Sequence, residues 1–159
     1  MKKKIDIYLD QVNILSLFVI LIQTRISNIN RIYYIDYSFT LGVDFFFKKI
    51  KFVNCNKFEE SRIKINNKYV HLHIWQLLTD LSNKFIIKDK FLNNNHFIKK
   101  NSLNYDKYIE FLREKFIYQA YVPLKLYVYS QKFSKNNNTK FLIEKNALSP
   151  VFDVLSENF

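Results

Sequence analysis

The stretch RIYYIDYSFTLGVDFFFKKIKFVNCNKFEESRIKINNKYVHLHIWQLL, residues 31–78, decides how the fold is read. Within it Ile35, Tyr37, Phe39, Leu41 and Val43 alternate with Asp36, Ser38, Thr40, Gly42 and Asp44, the period of a strand with one buried face. Beyond Phe45-Phe46-Phe47 the apolar positions become even-numbered, Ile50 and Phe52, with Lys49 and Lys51 beside them. On the return, Ile63 and Ile65 are odd, whereas Val70, Leu72 and Ile74 are even, with Asn66-Asn67 at the changeover. A change of parity sends side chains to the opposite face, so each strand is expected to carry a bulge or kink there. The two changes lie at similar distances from a tip near Lys57. They predict a long hairpin, with a base inside a sheet and an arm protruding over about residues 45–67. A two-stranded arm of that length is marginal alone and needs a partner surface.

Upstream, Ile5, Ile7 and Leu9 alternate with Asp6, Tyr8 and Asp10, a further strand with one buried face. Val12 to Ile22 is nearly all apolar, with a narrow polar stripe of Asn13, Ser16, Gln23 and Ser27. That pattern predicts a helix buried on most sides, with Asp10 as its cap. Downstream, residues 82–104 show no sustained period and read as an insertion. Tyr105, Tyr108, Ile109, Leu112 and Phe116 then follow helical spacing behind Asn104 as a cap. Leu124, Leu126 and Val128 alternate with Lys125, Tyr127 and Tyr129 as a last strand, with Pro123 at its entrance. The order strand, helix, strand, strand, helix, strand predicts an α+β, ferredoxin-like βαββαβ antiparallel sheet. Residues 1–130 are expected to form one domain, and 131–159 a C-terminal extension along a neighbour.

The chain has 159 residues, 25 Lys plus Arg against 14 Asp plus Glu, and a formal net charge of +11. Such a balance predicts attraction to a polyanion, either nucleic acid or an anionic membrane surface. Lys, Asn, Ile, Phe and Tyr abound while Gly (1) and Pro (2) are scarce, the mark of an A+T-rich genome. Asparagine is then expected at turns where glycine would otherwise supply the left-handed conformation. The single cysteine, Cys55, excludes an internal disulfide. No apolar signal region or Arg-rich, Ser-rich leader follows Met1, so an organellar role implies synthesis in the organelle. The apolar run at 12–22 falls well short of the roughly 20 residues a transmembrane helix needs.

Catalytic signals are sparse. Gly42, the lone glycine, sits inside a strand pattern, so no glycine-rich phosphate loop exists. His71 and His73 would share a strand face, but no further ligand cluster is visible, and neither metal nor cofactor is expected. Cys55, at the hairpin tip, would lack the sheltered pocket and base that a nucleophile needs. No acid, base and nucleophile converge, so no reaction and no small-molecule substrate are expected. The positive signal is the arm: Lys48, Lys49, Lys51, Lys57, Arg62, Lys64 and Lys68 fall in one segment interrupted only by Glu59 and Glu60. These cations can neutralise successive phosphates, while Phe45, Phe46, Phe47 and Phe58 supply apolar contacts to protein or bases. The competing reading is a lysine-protected strand edge in solvent.

KIDIYLD at the start, FEESRIKI, VHLHIWQL and YIEFLREKFIYQAYVPLKLYVYS together resemble the small-subunit ribosomal protein S-ten family over roughly residues 4–130. Ser61-Arg62 matches a Ser-Arg pair of that family, His71 falls on its histidine and His73 on one of its basic positions. Departures occur at the tip, where Asn54-Cys55-Asn56 stands for the family's Ser-Pro-His, at YSFTLG in place of a proline-rich stretch, and at Glu59-Glu60 where lysines are usual. The resemblance implies a ferredoxin-like protein of the small-subunit head. Ser61, Arg62, His71 and His73 would join the lysines on ribosomal RNA, and the neighbours would be relatives of S-three, S-nine and S-fourteen. Codon bias and extensions suit a mitochondrial matrix ribosome. The other reading carried forward is an accessory subunit of an organellar inner-membrane complex, anchored by residues 12–22.

Overall fold

A computed structural model of the chain describes residues 4–37, 50–60, 62–65, 67–89, 103–135 and 137–143. Strand β1, Lys4–Val12, is central to a four-stranded sheet, with β2 (Asn28–Tyr37) and then β3 (Lys51–Asn54) on one side and β6 (Asn138–Leu142) on the other. Its residues Ile5 to Leu9 are all buried, so both faces are covered, as in parallel sheets. The odd set Ile5, Ile7 and Leu9, with Val12, packs against Ile20 of helix α1, Ile14–Ile26. The even set, Asp6 and Tyr8, faces the other way. The Tyr8 ring stacks on Tyr33 at 4.6 Å and an interplanar angle of 7°, a contact adding about 1 kcal/mol beyond area burial.

Helix α1 is capped by Asn13 rather than Asp10: Ser16 N–H donates to Asn13 Oδ1 and Asn13 N–H to Ser16 Oγ, both at 2.8 Å. It is not buried on most sides. Only Ile20 is buried, while Ile14, Leu15, Phe18, Leu21, Ile22 and Ile26 are 45–70% exposed. No helix of the described residues is long and apolar enough to cross a membrane.

Strand β2, Asn28–Tyr37, runs parallel to β1. It overlaps the expected second strand only at residues 35–37, because residues 38–49 lie outside the described residues. Ile5 pairs with Ile29 but Asp6 with Arg31, so Asn30 is an inserted residue. This bulge moves the apolar set from Ile29 to Ile32, which breaks the period-two signal. Strand β3, Lys51–Asn54, pairs with β2 in parallel register, Arg31 opposite Lys51 and Tyr34 opposite Asn54. The expected antiparallel hairpin is therefore not what these strands form. A parallel pair needs a crossover of about a dozen residues or more, which residues 38–50 are long enough to supply.

After β3 come the short helix α2, Asn56–Glu60, and the two-residue strands β4, Lys64–Ile65, and β5, Lys68–Tyr69, an antiparallel pair. Asn67 takes φ 63° in the turn between them, as expected where asparagine replaces glycine. The second change of parity thus marks a tight turn and the start of a helix. Helix α3, Val70–Ile87, replaces the expected returning strand. Val70, Ile74, Leu78, Leu81 and Phe85 are buried while Leu72 is exposed, so helical spacing, not alternation, matches burial. Residues 82–87 of the expected insertion belong to this helix, and 90–102 lie outside the described residues.

Helix α4, Leu103–Phe133, runs through Pro123 into the expected last strand. Leu124, Lys125, Leu126, Val128, Tyr129 and Ser130 are all buried. A helix segment covered on nearly every side shows no amphipathic period, so its Leu-x-Leu-x-Val pattern imitates a strand. Helices α3 and α4 enclose a core with Tyr8, Tyr33 and Cys55 on the sheet face opposite α1. Strand β6, Asn138–Leu142, pairs in parallel with β1, which draws these residues of the expected extension into the sheet. The α+β content agrees with the sequence; the described sheet is parallel instead of ferredoxin-like and antiparallel.

A buried polar network ties the sheet to the end of α4. Asp6 accepts from Asn30 Nδ2 at 2.9 Å, Ser134 Oγ at 2.6 Å and Asn137 Nδ2 at 2.9 Å. Ser134 Oγ also lies 2.8 Å from Tyr8 Oη. Three donors compensate the burial of this carboxyl group.

Candidate nucleic-acid interface

The cations singled out in the sequence separate into two places. Lys51 is exposed at the start of β3, in register with exposed Arg31 on β2. The Arg31 guanidinium donates to Tyr33 Oη at 3.4 Å, a bond that holds it further in its charged form. Lys57 on α2, Arg62 in the following turn, and Lys64 and Lys68 on β4 and β5 are exposed along the later stretch. Lys48, Lys49 and Ser61, together with Phe45, Phe46 and Phe47, lie outside the described residues.

Between β4 and β5, Lys64 pairs with Tyr69 and Ile65 with Lys68. Lys64 Nζ sits over the Tyr69 ring at 4.9 Å from its centroid, and the Tyr69 and His71 rings lie 5.9 Å apart at 18°. Lys68 Nζ donates to Gln76 Oε1 at 2.6 Å, which leans it over the first turns of α3. Tyr69 occupies the N-cap of α3 without a side-chain cap bond, and the first turn carries no acid. Val70 N–H donates to Ile63 C=O, and the positive end of a helix start favours anions; Lys64 and His71 gather about Tyr69 there, with Lys68 beside Gln76. The available signal was Tyr69 in a position where Ser, Thr, Asp or Asn would cap. The strand reading concealed it.

Arg62 takes φ 51°, a conformation that costs a non-glycine residue roughly 1 kcal/mol or more. The turn therefore fixes the guanidinium's root beside Ile63, whose carbonyl accepts from Val70 N–H at 3.1 Å.

No protein family, no curated protein and no solved structure matches the chain.

Three expected placements change. Phe58 is half-buried against the core, its ring 4.2 Å from Phe133 and 5.5 Å from Tyr129. Cys55 is fully buried rather than at an exposed tip, and its N–H donates to Tyr34 C=O at 2.7 Å. His71 and His73 are two positions apart on a helix, about 200° around its axis, so they do not share a face. Among the described residues no group of three or more His, Cys, Asp or Glu could hold a metal ion.

Proposed function

We propose that the protein is a non-catalytic, RNA-contacting constituent of an organellar small ribosomal subunit, mitochondrial by its codon bias, which lays its exposed basic segment against RNA phosphates. The observation that carries this reading is the gathering of Lys64, Lys68 and His71 about Tyr69 and the first turns of α3, with Lys57 and Arg62 exposed just before it. A net charge of +11 supplies the longer-range attraction. Tyr69, partly exposed, adds a ring on which a base can stack. The placement in the subunit head, beside relatives of S-three, S-nine and S-fourteen, rests on the resemblance alone. So does the ferredoxin-like arrangement, which the described parallel sheet does not support.

The test is a gradient profile of organellar extract. The protein is expected to sediment with small subunits and to move to the top of the gradient after RNase digestion. Sedimentation indifferent to RNase would overturn RNA contact, and migration away from subunits in intact extract would overturn the ribosomal assignment.

A second reading, the accessory subunit of an inner-membrane complex, is favoured by the six exposed apolar side chains of α1. At about 1.5 Å per residue this 13-residue helix spans about 20 Å, short of the roughly 30 Å hydrocarbon layer. Retention in the membrane pellet after alkaline carbonate would favour that reading over the ribosomal one.

A further inference from the structure

The basic segment continues into a row of rings on one flank of α3. Lys64 Nζ covers the Tyr69 ring, and the His71 ring lies beside it at 5.9 Å. His71 and Trp75 are four residues apart on the helix, about 6 Å along its axis, so they project from the same side one turn apart. Both are exposed, Trp75 by 49%. Leu72, exposed too, is three residues from Trp75 and four from Gln76, whose Oε1 accepts from Lys68 Nζ. Rings and ammonium groups therefore share one strip of surface.

Single exposed apolar side chains are ordinary. Rings in sequence with cations beside them are the arrangement that holds an unpaired nucleic-acid strand, because every base has a flat face to stack and every nucleotide a phosphate to neutralise. Trp75 is steadied on its inner side by Tyr121, the rings 6.2 Å apart at 45°, which leaves its outer side to solvent. Tyr69 is already covered by Lys64, so His71 and Trp75 are the rings open to a base. A duplex keeps its base faces stacked on one another and presents phosphates alone; a single strand presents both. Past Trp75 the surface turns acidic, with exposed Asp36 lining the crevice that Trp75 borders, so the track ends there.

We propose that this flank of α3 binds single-stranded RNA, with unstacked bases lying on His71 and Trp75 and the adjoining phosphates on Lys64 and Lys68. The inference rests on the RNA contact put forward above and adds the form of RNA and the two rings that select it.

Trp75 is the sole tryptophan, so stacking on it is read as quenching of the protein's fluorescence. The full-length protein is titrated with a short structureless RNA, with an abasic strand of the same length, and with the duplex that the RNA forms with its complement. Saturable quenching by the single strand, and little by the abasic strand or the duplex, is expected. Trp75→Leu should weaken single-strand binding about tenfold by anisotropy, the worth of one stacked base, with circular dichroism unchanged. Its salt slope should equal the parent's, since the ring touches no phosphate. If Trp75→Leu does not fold, His71→Ala, at an exposed position, decides by the same two readouts. Binding without quenching, equal affinity for the duplex or the abasic strand, or undiminished affinity in the folded variant would overturn the proposal and leave RNA contact standing. Failure of all three probes to bind would overturn RNA contact itself, and this inference with it.

Discussion

Replacing Lys57, Arg62, Lys64 and Lys68 together with alanine removes four exposed cations from one short stretch of chain. A cation seated on a single-stranded phosphate contributes about 0.7 to the slope of log affinity against log salt, so four contribute about 3. Between roughly 50 and 200 mM salt, that difference corresponds to about 50-fold in affinity. None of the four side chains is buried, and the Lys68–Gln76 bond is exposed, so the fold should tolerate the change. Fluorescence anisotropy of a labelled, structureless RNA at a series of salt concentrations measures the slope, with circular dichroism as the control for folding. Lys51→Ala, at the separate β3 site, should lower it by at most about 0.7. A folded quadruple variant with the parent's slope would show that these cations do not touch phosphate, and the proposed interface would be refuted.

Two further outcomes test the architecture. Asp6→Ala strips the acceptor from Asn30, Ser134 and Asn137 and should destabilise the fold by about 3 kcal/mol or more, read from urea denaturation; a change under about 0.5 kcal/mol would contradict the buried network. Burial pushes the Tyr8 phenol well above its ordinary 10.0, an effect only partly offset by its Ser134 hydrogen bond. Above about pH 10 the unfolded tyrosine ionises while the folded one keeps its proton, so stability falls as pH rises. Tyr8→Phe should lose roughly 1 kcal/mol at neutral pH yet show a shallower alkaline decline; an equally steep decline would remove Tyr8 from its cause.

How far the sequence could be read depended on what surrounds each element. The first strand and the helix after it were legible, because Ile5, Ile7 and Leu9 alternate and the run from Val12 is dense in apolar residues. That Asp6 would be buried was not, since its three donors come from Asn30, Ser134 and Asn137, the last two far along the chain. Val70-x-Leu72-x-Ile74 and Leu124-x-Leu126-x-Val128 each fit a strand over five residues. Only the longer series from Val70 to Phe85, and the covering of α4 on nearly all sides, distinguish a helix. At the interface, the lysines and Arg62 were found by charge, and the start of α3 was hidden by the strand reading. Asp10 precedes an apolar run and so suggests a cap, but Asn13 takes that place.

The seating of β1 sets an order of events for the growing chain. Ile5 meets Ile29 on one side early, but its partner on the other side, Asn138, is made only after both long helices. Until then β1 presents an open row of peptide groups, and Asp6 has Asn30 alone of its three donors. An unpaired strand edge of this kind invites pairing with other chains, and contacts so distant in sequence form slowly. A nascent chain stalled before residue 138 is thus expected to be the aggregation-prone species, and release of β6 to be the event that closes the sheet.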